Sequence, residues 1–228
     1  MVSTYSKMSL VKSNASISIL MKKILILLFS IFFLSSSSVF ADDISEFQIE
    51  GISIGDSLLD YMTEDEILEE IELSKDYYYY LAEPKKYSEV YLYNSSSTYE
   101  AGLSFFVKRT PTSKYITNKN EKYIILSVRG MKSYVEDLKS CIQKRNEIVE
   151  ELSMLFPNQQ KTEGFFKHSA DPSGKSIIDA VYFEFDSGDE IEISCDNYEE
   201  TFRISKNWTE GLSVAIDSQE IISWLATK

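Results

Sequence analysis

Few residues in this chain are equipped for chemistry. There is one histidine, His168, so any Ser-His-Asp or Cys-His site must use it. It sits in Lys167–Lys175, KHSADPSGK, a polar loop with no nucleophile motif. A histidine in that setting reads as a solvated loop side chain. The two cysteines, Cys141 and Cys195, form no C-x-x-C pair, and with one histidine they serve zinc poorly. Acids are plentiful, and Asp186, Asp189 and Glu190 crowd the segment DSGDE. They lack the D-x-[DN]-x-[DN]-G pattern with a later glutamate that a calcium loop needs, and Asp186 and Asp189 read as turn formers. A pair of catalytic carboxylates stays open as a reading, because its members can be distant in sequence, but no pair stands out. No phosphate-cradling glycine loop is present. No catalytic residue, metal or cofactor is therefore nominated.

The other residues that invite a role are tyrosines. The chain has 15, and Tyr77, Tyr78, Tyr79, Tyr80, Tyr87, Tyr91 and Tyr93 fall within a short span. Tyrosine offers rigid contact area with a polar tip, which suits protein interfaces and sugar stacking. Tyr77, Tyr78, Tyr79, Tyr80 and Tyr87 are the candidate interaction patch. The alternative is that alternate tyrosines pack inward.

The elements that would position these residues are legible from periodicity. Short extended segments around Gly51 open the domain, and Gly55-Asp56-Ser57 is a turn. Thr63 and Glu66 have the spacing of a capping box, ahead of a helix with Ile67, Leu68 and Ile71 as its stripe. Val90 to Tyr93, Leu103 to Val107 and Tyr123 to Val128 predict an antiparallel meander. From Tyr134 to Phe156, apolar residues recur at three- and four-residue steps, predicting one long amphipathic helix that Pro157 stops. Residues 157–175 read as loop. Val181–Phe185 and Ile191–Cys195 alternate around Asp186–Asp189, predicting a hairpin. Leu212–Ile216 reads as a last strand, and Asp217–Glu220 as the start of a terminal helix.

Residues 21–41, MKKILILLFSIFFLSSSSVFA, have the three parts of a secretory signal: Lys22 and Lys23, an eleven-residue apolar run from Ile24 interrupted only by Ser30, and a small, polar end with Val39 and Ala41 at the −3 and −1 positions. The run is shorter than the roughly 20 apolar residues a membrane span needs. Cleavage is expected after Ala41, leaving 42–228 as a single domain. Residues 1–20 read as an extended n-region or as untranslated, with Met21 the start. No cysteine adjoins the cleavage point, so no lipid anchor is expected. Cleavage would remove four lysines and no acid, so 19 basic and 36 acidic residues would remain, a net charge of −17 over 187 residues. That charge disfavours nucleic acid and anionic lipid as partners. Export also bears on the cysteines. Cys141 lies on the apolar stripe of the long helix and Cys195 on the apolar face of the hairpin, so a helix packed there predicts a disulfide.

The segment Phe47-Gln48-Ile49-Glu50-Gly51-Ile52-Ser53-Ile54-Gly55-Asp56-Ser57-Leu58-Leu59-Asp60-Tyr61 resembles a family of uncharacterised secreted proteins of marine bacteria. The similarity continues at Tyr123-Ile124-Ile125 and at Glu147–Leu152, over most of the chain after the signal. It implies export and brings no activity and no catalytic residues. Gly51-Ile52-Ser53 also resembles the glycine turn of small envelope proteins of the outer-membrane assembly machinery. Gly55 departs from that pattern, and their lipid-bearing cysteine is missing.

The expected fold is α+β: an antiparallel sheet of five or six strands with one long amphipathic helix across one face. The leading functional expectation is an exported, periplasmic or secreted, non-enzymatic binding or interaction module, its partner an envelope protein or a small ligand. The alternatives are a carboxylate-dependent hydrolase of envelope glycans or peptides, and a structural envelope component. A tyrosine-rich patch beside a sheet edge would favour binding. A deep cleft with facing carboxylates, one of raised pKa, would favour hydrolysis.

Overall fold

The computed structural model describes Ile44 and residues 47–77, 79–82, 86–93, 96, 98–109 and 119–228. The expected signal, residues 21–41, and the segment before it lie outside the described residues. The described strands form one antiparallel sheet in the order β1-β2-β3-β7-β6-β5-β4. They are β1 (Tyr87–Leu92), β2 (Gly102–Lys108), β3 (Ile124–Ser133), β4 (Gln160–Lys167), β5 (Ile177–Glu184), β6 (Glu190–Asn197) and β7 (Gly211–Asp217). The helices are α1 (Glu64–Ser74), α2 (Tyr79–Ala82), α3 (Leu138–Leu155), α4 (Glu200–Lys206) and α5 (Gln219–Leu225).

The α+β antiparallel class is what the structure shows, with two corrections. Among the described residues the sheet has seven strands, not five or six. The added strand is β4, in the stretch read as loop: its sequence, QKTEGFFK, is exposed at every position but Gly164, so no apolar alternation marks it. A single helix is also too few, since short helices stand beside α3. Among them, α4 carries no buried residue and so leaves no stripe to read.

Local rules account for most boundaries. Thr63 and Glu66 form the reciprocal capping box of α1. Asp137 caps α3 by accepting the Ser140 N–H, so the helix starts at Leu138 rather than Tyr134. Glu136, just before it, has φ +58°, which a helix cannot continue through. Glu50 and Gly51, both with positive φ, turn the chain between the bridged Ile49 and Ile52. The β5–β6 turn closes with Phe185 N–H donating to Asp189 O and Gly188 N–H to Phe185 O, with Gly188 left-handed. At Gly211 (φ +144°) a Cβ would run into the Lys132 carbonyl and the Tyr134 nitrogen, so the entry to β7 needs glycine.

Alternation divides the sheet into two faces. One carries Leu103, Phe105, Val128, Val181, Phe183, Ile191, Ile193, Cys195, Val214 and Ile216, all buried. Helix α3 closes that face over β6 and β7, burying Cys141, Val149 and Leu152. Cys141 and Cys195 are joined as a disulfide there, their Cα atoms 6.0 Å apart. Arg145 stands in the same stripe, one turn from Cys141 and from Val149, and its guanidinium binds the carbonyl (3.1 Å) and the carboxylate of Asp179 on β5. Phe156 packs edge-on against Phe185 and Phe47, tying the helix end to the opening segment. A second, smaller core lies on the other face, where Ile221 and Trp224 of α5 meet Tyr87, Leu126 and Phe106.

Candidate functional site

Beyond that small core, the second face is polar. One row across it reads Ser104, Arg129, Ala215, Glu192, Tyr182 and Thr162, in register from β2 to β4. Small side chains beside Arg129 leave room for its guanidinium to reach sideways. It donates to Ser213 Oγ at 2.7 Å and to Glu192 Oε2 at 2.9 Å, with Asp217 Oδ2 3.8 Å away. Glu190, Asp196 and Glu89 complete the cluster. Desolvation lifts Glu190 to about 7, helped by its register partner Asp217 and by Glu192. Desolvation and Glu192 lift Asp196 to about 7 against the pull of Arg129. Glu89 is buried and is pushed to about 7 by desolvation, although Tyr91 donates to its Oε1 at 2.9 Å. Its Oε2 has no hydrogen-bond partner among the described residues. Desolvation also acts on Glu192, but the charge and hydrogen bond of Arg129 outweigh it and hold that carboxyl low.

The tyrosines separate into two groups. Tyr77 and Tyr93 are exposed, at 57% and 54%, beside edge strand β1. Tyr91 joins them, stacked on Tyr93 with ring centroids 5.9 Å apart and edge-on to Tyr77 at 6.0 Å. Partial burial, with Tyr77, Glu70 and Glu89 nearby, raises the Tyr93 hydroxyl. Tyr87 does not belong to a surface patch: it is 1% exposed, lies edge-on to Trp224 and donates to Glu220 Oε1 at 2.6 Å. Tyr80 is half-buried and also meets Trp224 edge-on. The backbone at Tyr79 opens α2, whereas its side chain and Tyr78 lie outside the described residues. The inward packing follows from β1 itself, because Tyr87 falls where the α5 end of the sheet is covered.

The remaining sequence candidates have structural roles. His168 is half-buried rather than solvated. Its ring meets Trp208, Tyr198 and Phe202 at 4.9, 5.5 and 6.2 Å, and desolvation lowers its pKa. Asp189 of the hairpin accepts the Gln219 N–H at 2.8 Å and so caps α5, whose own N-cap, Ser218, makes no side-chain cap. Among the described residues no group of three or more histidines, cysteines or acids could hold a metal ion, and no helix is long and apolar enough to cross a membrane. One cavity, between α1 and β1 beside Ser74, Glu89 and Arg109, measures about 30 Å³, space for a water molecule or two. Sequence reading missed Arg129 and its carboxylates. Their signal was present as charges at alternate positions of Glu190-Ile191-Glu192-Ile193-Ser194-Cys195-Asp196, but in one strand that pattern describes any solvated face.

No protein-family model matches this chain, and neither a curated protein nor a solved structure shows significant similarity to it.

Proposed function

We propose that the chain is an exported, non-enzymatic interaction module of the cell envelope, and that Tyr77, Tyr91 and Tyr93 form its contact surface. The observation that carries this reading is the tyrosine ladder itself, three rings in mutual contact beside a sheet edge with two of them more than half exposed. Rings that brace one another lose little freedom on docking, and their hydroxyls can bond a partner. Export through the 21–41 signal is supported by the Cys141–Cys195 disulfide, which suits an oxidising compartment, and by the resemblance of Phe47–Tyr61 to secreted marine bacterial proteins. The test is affinity capture from envelope extract with the exported chain and with its Tyr77→Ala/Tyr93→Ala variant. Both side chains are exposed, so circular dichroism should be unchanged while retention of the captured species falls at least tenfold. Equal retention by both proteins would sink the assignment of the surface.

A second reading is acid–base hydrolysis of envelope glycans or peptides. It is favoured by three carboxyls, Glu89, Glu190 and Asp196, held near 7, where one group can both donate and accept a proton. Turnover of a glycan or peptide library by the wild-type chain, lost in Glu190→Gln, would select it over the binding reading.

A further inference from the structure

The two edges of the sheet are managed differently. At β1 two of the outward backbone groups are taken by α1: Ser74 Oγ donates to Glu89 O at 2.5 Å, and the Glu70 carboxylate accepts from the Tyr91 N–H. At β4 eight residues run along the edge, paired among the described residues only with β5. Phe165 and Phe166 there are 66% and 46% exposed. A long exposed edge with apolar side chains is a template for another strand.

We propose that β4 pairs with β4 of a second copy of this chain, antiparallel about a two-fold axis through Phe165, to give a continuous fourteen-stranded sheet. The backbone restricts how two such edges can meet. The β4–β5 ladder continues to His168, whose N–H donates to Ser176 O at 2.9 Å. Even-numbered residues of β4 therefore bond to β5, and Lys161, Glu163, Phe165 and Lys167 turn their N–H and C=O groups outward. In a self-paired edge, outward-turned residues must oppose outward-turned residues. Centred on Gly164, Lys161 faces Lys167. Centred on Glu163, that carboxylate faces its own copy. Centred on Phe165, Glu163 faces Lys167 twice and Phe165 faces Phe165, with Gly164 opposite Phe166. Like charges directly opposite are destabilising, and opposite charges and aromatic pairs favourable. Of these three registers, only the one on Phe165 is self-complementary, as a two-fold interface must be.

The test is sedimentation of the purified chain over a concentration series, with charge variants. The wild type is expected to be a concentration-dependent dimer. Glu163→Lys and Lys167→Glu should each shift the midpoint at least tenfold towards monomer, and the double exchange Glu163→Lys/Lys167→Glu should restore it. Among the described residues there is no free cysteine, so Phe165→Cys should give a single intermolecular disulfide across the axis, where paired residues lie within bonding range. These side chains are exposed, so the variants should fold as the wild type does. A chain that stays monomeric at millimolar concentration, or a dimer indifferent to both single reversals, would overturn the proposal. Tyr77→Ala/Tyr93→Ala should leave the dimer intact, which separates this interface from the tyrosine ladder.

Discussion

Arg129 is the residue whose surroundings are most constrained. Three carboxylates, Glu192, Asp217 and Asp196, act on it through charge, and Glu192 also through a hydrogen bond. A cation in that position lets several acids share one sheet face. Removing it leaves Glu192 and Asp217 in a desolvated setting without a counter-charge. Arg129→Met, which keeps most of the side-chain volume, should destabilise the fold by about 2–3 kcal/mol, between the ranges for exposed and buried pairs. Urea unfolding at pH 7 would measure it, and a change under 0.5 kcal/mol would show that the carboxyls had simply taken up protons. Tyr87 and Tyr77 make a different point. Their side chains are chemically identical, and one is buried against Trp224 while the other stands in solvent. Nothing in the run of tyrosines separates them, because the difference lies in α5, about 130 residues further along the chain.

At the scale of elements, α3 and the sheet are held by two kinds of contact: apolar burial along Val149 and Leu152, and the side-chain links Cys141–Cys195 and Arg145–Asp179. The disulfide spans a sequence separation of 54 residues and encloses most of α3, all of β4 and β5, and most of β6. On the chain-entropy account such a loop is worth about 4 kcal/mol. Cys141→Ala/Cys195→Ala should therefore lose about 3–4 kcal/mol in urea unfolding, and a loss under 1 kcal/mol would mean that α3 is seated by packing alone. The spacing of the helix was legible from its sequence, since 141, 149 and 152 share one face. Arg145 on that same face was not, because an arginine in an apolar stripe looks like an interruption until its acceptor, Asp179, is brought opposite. Strand β4 escaped notice for a related reason. An edge strand exposed on both faces needs no alternation, so no alternation remains to be read.

For the molecule as a whole, pH is the variable that joins these parts. Glu89, Glu190 and Asp196 titrate near 7 in the folded chain, above their ordinary values. A carboxyl whose pKa is raised by folding contributes stability at pH below its unfolded value, and that contribution is lost as pH rises through the folded one. Glu64, Glu220 and Asp171 are held below their ordinary values by their partners. Their contribution runs the other way, present above the unfolded pKa and lost in acid. Maximum stability is therefore expected near pH 5, with Tm falling between pH 5 and 8 as well as below pH 4. Thermal unfolding across that range checks it, and Glu190→Gln should flatten the alkaline limb. A Tm that climbs steadily to pH 8 would contradict the cluster's electrostatics. By itself, the sequence determined the α+β class, the meander, the hairpin, the capping box and the helix stripe, because each depends on residues close together in the chain and on a period of two or nearly four. Tertiary structure decided which tyrosines are exposed, which acids surround Arg129 and which strand stands at the end of the described sheet. Those depend on residues brought together from distant parts of the chain, and a local pattern carries no record of what will lie across the sheet.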